Sequence, residues 1–182
     1  MKVYLLDTCV WSDWYRQEDY VLKNIEILCG QECRLMMSPI TWGEFAYGWE
    51  LDKTYRREEF LQFINSITFQ FCKEIDKHAA LIYGELRALL TDRYDSRHKN
   101  KKWIDILEDP TTSQKLGVQE NDLWITCQAI NLGATLVTTD KKMKRLFEII
   151  PNSYIGNEEE GFYYQIWEHN DTPRDGKQES QD

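Results

Sequence analysis

The chain has 182 residues, of which 42% are hydrophobic and 29% are charged, and its formal net charge is −9. That apolar content is enough to fill one hydrophobic core of ordinary size, so the composition excludes an intrinsically disordered protein. The apolar runs are short and interrupted by charges, which argues against a membrane-spanning helix and predicts a soluble, cytoplasmic protein without a membrane partner.

The negative charge is concentrated towards the C-terminal end. Residues 156–182 contain eight acids and two bases, a net of −6, which leaves a net of −3 for residues 1–155. We expect residues 156–182 to form an acidic extension, with a candidate edge strand at 162–167 and a disordered tail beyond it. The remaining body is close to neutral, so a phosphate-bearing substrate is electrostatically permitted.

The apolar spacing predicts strands that alternate with helices. Residues 3–6 form a short apolar run typical of a buried strand, and residues 10–29 have the spacing of one helix that Gly30 ends. Residues 35–37 predict a second strand, after which Pro39 suits the first turn of the next helix.

The same alternation continues to residue 138. The predicted elements are a helix around residues 60–67, a strand at 68–71, a helix at 75–90, a helix at 121–132 and a strand at 134–138. In the long helix, we expect Ala79, Ile82, Leu86 and Leu89 to share one buried face. Helices that alternate with short buried strands indicate an α/β fold with a mainly parallel sheet.

Residues 92–118 interrupt the alternation and predict a long basic loop or insertion. Clustered cations favour contact with a nucleic-acid backbone, and the candidates here are Arg97, Lys99, Lys101 and Lys102. Lys141 and Lys142 are further candidates for phosphate contact, although a solvated helix face explains them equally well.

Four carboxylates follow or precede apolar segments at the junctions between predicted elements. They are Asp7, Glu44, Asp122 and Asp140. If these junctions lie at one edge of the sheet, the acids converge, and converging carboxylates are what a hard divalent cation requires. The five cysteines contain no pair of Cys or His motifs with zinc-site spacing. The pattern therefore indicates a metal-dependent hydrolase.

Each acid also has a purely structural explanation. Asp is favoured at helix N-caps and Glu in the first helical turn, where both accept hydrogen bonds from free amide groups. Thr41 and Glu44 even have the spacing of a capping box. Asn caps a helix as well as Asp does but brings no charge to a metal, so Asp→Asn substitutions separate the two explanations.

Three motifs in this order resemble the PIN-domain ribonucleases, and more narrowly the VapC toxins of bacterial toxin–antitoxin pairs. They are Tyr4-Leu5-Leu6-Asp7-Thr8-Cys9-Val10, the segment from Ser38 to Gly48 with Glu44 at its centre, and Asn121-Asp122-Leu123-Trp124-Ile125 leading into Gly133 to Asp140. The resemblance covers roughly residues 2–150. Cys9 departs from it, because Asn is common at that position.

The resemblance implies a PIN-like three-layer α/β domain over residues 1–155, with a central sheet flanked by helices. It implies that Asp7, Asp122 and Asp140 bind Mg²⁺ or Mn²⁺, with Asp122 bound directly or through water, and that Glu44 orients the attacking water or acts as an outer ligand. Hydroxyl and amide groups around these acids are candidates to orient them: Thr8, Asn121, Thr138 and Thr139.

The implied activity is hydrolysis of RNA, most naturally a transfer RNA or another structured stem-loop, to leave a 5′-phosphate. The implied partners are a VapB-like antitoxin and a second copy of the chain in a homodimer. A haloacid-dehalogenase-like phosphotransferase is disfavoured, because Cys9 stands where that chemistry needs a second Asp. A PIN-like module that binds RNA or protein without cutting is the alternative function.

Overall fold

The structure is a computed structural model. It describes residues 1–52, 56–72, 74–94, 104, 107–108, 113, 115–151, 153–154 and 162–168. The chain divides into two compact units, which are described separately. The sheet unit comprises Met1–Glu74, Ala134–Thr139 and Tyr163–Asp182, and the helical unit comprises Ile75–Gly133 and Asp140–Phe162.

The sheet unit is built on a five-stranded sheet in the order β3-β2-β1-β4-β5, and every pair of neighbouring strands is parallel. The strands are β1 (Lys2–Leu6), β2 (Cys33–Met37), β3 (Gln70–Phe71), β4 (Thr135–Thr138) and β5 (Tyr163–Ile166). The α/β class with a central parallel sheet is therefore confirmed. The edge strand expected at 162–167 is present as β5.

Four helices of the sheet unit supply the apolar groups that cover the sheet. They are α1 (Thr8–Tyr15), α2 (Asp19–Cys29), α3 (Pro39–Leu51) and α4 (Arg57–Asn65). Trp11 and Trp14 of α1 stack at a ring-centroid distance of 5.4 Å, and Phe45 of α3 packs on Phe60 of α4 at 4.4 Å. These rings join Leu6 and Val137 of the sheet in one buried cluster, which fixes α1 directly after the end of β1.

The single helix predicted over residues 10–29 is wrong, because the chain forms two helices there. Gln17 has a φ of +62°, a left-handed conformation that ends α1. Its side-chain amide and its backbone N–H both donate to the carbonyl of Trp14 at 3.0 Å, at the end of the helix. Both helices bury an apolar face, so the helical spacing of apolar residues continues across residues 16–18 and does not reveal the break between α1 and α2.

The helical unit contains α5 (Lys77–Tyr94), α6 (Glu120–Leu132) and the short α7 (Met143–Phe147). Tyr83 of α5 and Trp124 of α6 stack face to face at a centroid distance of 4.0 Å. Gly133 ends α6 at a φ of +58°, a conformation that favours glycine. Leu90 rather than Leu89 completes the buried face of α5, since Leu89 is 37% exposed and Leu90 is fully buried.

Among the helices of the described ranges, none combines the length and the apolarity that a membrane crossing demands. The predicted disordered tail beyond residue 168 lies outside the described residues.

Candidate functional site in the sheet unit

Asp7 lies directly after β1, the central strand of the sheet, and is the N-cap residue of α1, so the structural explanation applies to it as well. Its backbone N–H donates to the carbonyl of Val137 at 2.9 Å, which extends the β1–β4 pairing by one step. The pairing of Leu6 with Val137 places Asp7 beside Thr138, the last residue of β4. The parallel sheet thus brings two sequence-predicted site residues together across 131 positions of the chain.

The Asp7 carboxylate is 4% exposed and accepts three hydrogen bonds. The backbone N–H of Thr8 donates to Oδ1 at 2.7 Å, and the Thr138 hydroxyl donates to Oδ2 at 2.7 Å. The Cys9 thiol donates to the same Oδ2 at 3.2 Å. All three donors are neutral, so these contacts hold the carboxylate in place without balancing its charge.

Burial raises the pKa of Asp7, because removal from water disfavours the charged form. The three hydrogen bonds oppose that increase, and the negative charge of Glu44 adds to it. An aspartate that served only as a helix cap at the surface would have no such cost. A bound cation would remove it.

Glu44 is held towards the start of α1 by Thr8. The Thr8 hydroxyl donates a hydrogen bond to Glu44 Oε2 and also lies 3.2 Å from the hydroxyl of Thr41. The sequence match of Thr41 and Glu44 to a capping box is wrong, because α3 begins earlier, at Pro39. Its cap is Ser38, whose side chain accepts from the backbone N–H of Ile40 at 3.0 Å. Capping therefore does not explain Glu44.

Cys9 connects Asp7 to the end of β4. Its thiol donates to Asp7, lies 3.2 Å from the Thr138 hydroxyl, and accepts from the backbone N–H of Thr139 at 3.2 Å. Burial raises the pKa of the thiol to about 12, with a further contribution from the charge of Asp7. Cys9 therefore stays protonated and acts as a hydrogen-bond donor.

Asp13 is a site neighbour that the sequence analysis missed. The Thr139 hydroxyl donates to Asp13 Oδ2 at 3.1 Å, and the Tyr20 hydroxyl donates to the same oxygen. Arg16 pairs with Oδ1 at 3.1 Å. Only the fold brings Asp13 to Thr139, because the two residues are 126 positions apart in the sequence.

Asp122 and Asp140 lie in the helical unit, where each accepts a hydrogen bond from a nearby backbone amide. Asp122 is in the first turn of α6 and accepts from the N–H of Gln119 at 2.7 Å. Asp140 accepts from the N–H of Lys142 at 2.8 Å, just before α7. The structural explanation therefore applies to both, and their predicted metal-binding roles stay predictions. Asn121, also in the first turn of α6, is half-buried.

The basic residues predicted to contact RNA fall into two groups. Arg97, Lys99, Lys101 and Lys102 lie outside the described residues. Lys141 and Lys142 are exposed in the helical unit. Their neighbour Arg145 has a structural role, because its guanidinium donates to the backbone carbonyls of Lys115 and Leu116 at 2.6 and 3.0 Å.

Across the described ranges, no set of three or more His, Cys, Asp or Glu side chains is arranged to hold a metal ion. Within the sheet unit, the arrangement consists of two carboxylates, Asp7 and Glu44, linked by Thr8 and supported from β4 by Thr138. A parallel α/β sheet with a buried acid after its central strand defines a class of protein whose site lies at the carboxyl edge of the sheet.

The chain belongs to the PIN domain family, whose model matches residues 4–148. A search of curated proteins found no match.

Among solved structures, the chain is similar to a chain of VapBC2 from Rickettsia felis bound to a DNA fragment from the promoter. The TM-score is 0.60 at 21% identity, over 91% of this chain and 99% of that one. DNA-bound VapBC from Salmonella typhimurium gives a TM-score of 0.58 at 22% identity, over 92% and 99%. VapBC-1 from nontypeable Haemophilus influenzae gives a TM-score of 0.55 at 22% identity, over 81% of this chain and 94% of that one. The resemblance to VapC-type proteins is thus confirmed at the level of the fold.

Proposed function

We propose that this protein is a VapC-like toxin that hydrolyses phosphodiester bonds in RNA with the help of a divalent metal ion. The observation that carries the proposal is Asp7, a buried carboxylate after the central strand whose three hydrogen-bond donors are all neutral. Such a group destabilises the folded protein unless a cation or another group of opposite charge compensates it. Membership of the PIN family supports a nuclease.

The donor atoms around Asp7 suit a hard cation such as Mg²⁺ or Mn²⁺. Carboxylate oxygens come from Asp7 and Glu44, and hydroxyl oxygens come from Thr8 and Thr138. Cys9 provides the soft atom among these contacts, but it stays protonated, and metal ligation requires the thiolate. The residues present therefore fit an oxygen-preferring ion rather than zinc.

A bound divalent ion supplies activation of water and neutralisation of charge at the phosphorus. The protein's contribution is to hold Asp7 in one orientation through Thr138 and Cys9, and to hold Glu44 through Thr8. Glu44 is half-buried, so it is available to orient a water molecule. We retain Asp122 and Asp140 as proposed metal ligands, to be tested by substitution.

The proposed substrate is a structured RNA, with transfer RNA as the first choice. The proposed protein partners are a VapB-like antitoxin and a second copy of the chain. The support for the VapB-like partner is the fold shared with structures of VapBC proteins, whereas the second copy is proposed from the family resemblance alone. Co-purification with the product of a neighbouring gene tests the first partner, and light scattering of the purified chain tests the second.

The activity is tested by incubating the purified protein with transfer RNA in Mg²⁺, in Mn²⁺ or in a chelator. We expect cleavage only with metal, and sequencing of the new 5′-ends should locate the cut and show a 5′-phosphate. Asp7→Asn should abolish cleavage. Asp76→Asn is the matched control, because Asp76 is exposed and accepts hydrogen bonds from the backbone amides of His78 and Ala79.

Binding of RNA without cleavage under all three conditions would instead support the non-catalytic module. Cleavage by Asp7→Asn at the rate of the unmodified protein would exclude Asp7 from the reaction.

A further inference from the structure

Asp13 is held in one orientation by groups from two helices. Its side chain is 16% exposed, and Oδ1 pairs with Arg16 at the end of α1 at 3.1 Å. Oδ2 accepts from the hydroxyl of Tyr20 in α2. Burial, this hydrogen bond and the charge of Asp13 raise the pKa of Tyr20, so Tyr20 stays protonated and donates. The carboxylate is therefore a fixed acceptor for a further group.

That further group is Thr139, which α1 holds at two points. The Thr139 hydroxyl donates to Asp13 Oδ2 at 3.1 Å, and its backbone N–H donates to Cys9 Sγ at 3.2 Å. One hydrogen bond would leave the residue free to turn about that contact. Two bonds, from the main chain and from the side chain, fix both the position and the orientation of Thr139 relative to α1.

Thr139 adjoins the residue that directs Asp7. The hydroxyl of Thr138 donates to Asp7 Oδ2 at 2.7 Å, and the carbonyl of Thr138 accepts from the backbone N–H of Trp167 at 2.9 Å. Thr138 is thus anchored to the sheet through its carbonyl and to α1 through Thr139. A displacement of Thr139 would turn the peptide that it shares with Thr138 and move the hydroxyl away from Asp7.

The charge of Asp13 is balanced within the protein, unlike that of Asp7. Arg16 supplies a positive partner to Asp13, whereas the donors to Asp7 are all neutral. A carboxylate with a cationic partner does not require a metal ion to compensate it. The contacts of Asp13 therefore favour a role in holding other groups over a role as a metal ligand.

We propose that Asp13 is a positioning residue for the Asp7 site: by holding Thr139, it keeps the Thr138 hydroxyl on Asp7 and so orients that carboxylate for a divalent metal ion. This inference rests on the proposed function and deepens it. Groups that orient a metal ligand typically affect metal affinity or activity 10–100-fold.

The first test measures the two links separately in Asp13→Ala. In the metal-free protein, amide hydrogen exchange at Thr139 should accelerate about tenfold, because the residue loses one of its two anchors. Electron paramagnetic resonance of free Mn²⁺ should show affinity about tenfold weaker than that of the unmodified chain, at the lower end of the range for groups that orient a ligand. In RNA cleavage, kcat should fall about tenfold with KM changed less than about twofold, because Asp13 is not proposed to contact RNA.

Two further variants distinguish positioning from charge. Asp13→Asn keeps an oxygen that accepts from Thr139, so its Mn²⁺ affinity should stay within about threefold of that of the unmodified chain. Asp19→Ala is the matched control, because Asp19 is exposed at the start of α2 and lies outside these contacts. It should change neither Mn²⁺ affinity nor kcat. A loss in Asp13→Asn as large as that in Asp13→Ala would overturn the proposal in favour of a direct effect of the charge.

A double-mutant cycle tests the path through Thr139. Thr139→Val removes only the hydroxyl that donates to Asp13, and it should weaken Mn²⁺ binding as much as Asp13→Ala does. The double variant should lose no more than either single variant, because both remove the same contact. Additive losses would overturn the proposed path.

The outcomes also separate this inference from the proposed function. Metal binding and cleavage by the unmodified chain, with no change in Asp13→Ala or Thr139→Val, would overturn the role of Asp13 and leave the nuclease intact. Absence of both Mn²⁺ binding and cleavage in the unmodified chain would overturn the proposed function and this inference with it. Circular dichroism and melting in a chelator verify that each variant is folded.

Discussion

The two units of this protein use aspartate in opposite ways. In the sheet unit, Asp7 is buried among neutral donors and its pKa is raised by burial. In the helical unit, Asp76 is exposed, and hydrogen bonds from backbone amides, with that of Ala79 foremost, lower its pKa. Asp7 is also a helix cap, because it is the N-cap of α1 and accepts from the N–H of Thr8. Unlike Asp76, it is buried and accepts two further hydrogen bonds, from Thr138 and Cys9, that capping does not require.

The largest expected difference is between the rates of RNA cleavage by Asp7→Asn and by Asp76→Asn. Asp7→Asn should reduce the initial rate of metal-dependent RNA cleavage about a thousandfold, a typical loss when a charge that acts on the transition state is removed. Asp76→Asn should leave that rate unchanged, because Asn is also an effective N-cap. Equal rates for the two variants would remove the functional distinction between the units.

Thr138→Val should have a smaller effect on the same rate. The substitution keeps the shape of the side chain but removes the hydroxyl that donates to Asp7 Oδ2 at 2.7 Å. Loss of a group that orients a metal ligand typically costs 10–100-fold in activity or metal affinity. Both quantities should be measured, since a change in neither would show that Thr138 does not position Asp7.

The stability of the metal-free protein should depend on pH through Asp7. Because its pKa is higher in the folded state than in the unfolded state, the folded state binds more protons between the two values. The contribution of Asp7 to stability therefore falls as pH rises through that window and stays low at neutral pH.

In a chelator at pH 7, Asp7→Asn should accordingly have a higher urea midpoint than the unmodified protein, and the difference should shrink as pH falls towards 4. The reverse trend with pH would contradict burial as the cause of the raised pKa.

The smallest expected effect belongs to the cap of α5. Asp76→Ala should lower the urea midpoint at pH 7, because the amides of His78 and Ala79 lose their acceptor. The stability contributed by Asp76 depends on pH in the opposite direction to that of Asp7. Because the pKa of Asp76 is lowered in the folded state, its contribution is present above the pKa of the unfolded state and is lost as pH falls through the pKa of the folded state. Asp76→Asn should lower the urea midpoint much less than Asp76→Ala, because Asn still accepts hydrogen bonds from the cap amides. The comparison therefore separates the effect of capping from the effect of the negative charge.

Apolar periodicity was sufficient to predict the α/β class and most elements, because the buried positions of a strand or a helix face recur at a spacing that is visible in the sequence. It did not predict the break between α1 and α2, since the left-handed Gln17 and its hydrogen bond to Trp14 leave no apolar signal. It also placed Leu89 instead of Leu90 in the core, an error of one residue in helical phase.

For the site, motif order predicted Asp7 and the supporting Thr138, which strand register then brings together. Spacing alone also matched Thr41 and Glu44 to a capping box, because it could not locate the first residue of α3. Asp13 was missed because its partner Thr139 is 126 residues away in the sequence. Contacts of that kind depend on the fold and have no local signature.

The most direct test of the account is thermal denaturation of the protein in Mn²⁺ and in a chelator, for the unmodified chain, Asp7→Asn and Asp76→Asn. A cation that binds only the folded state raises its melting temperature. We predict that Mn²⁺ raises the melting temperature of the unmodified chain and of Asp76→Asn but leaves that of Asp7→Asn nearly unchanged. Equal shifts in all three proteins, or no shift in any of them, would contradict the assignment of Asp7 as a metal-binding carboxylate.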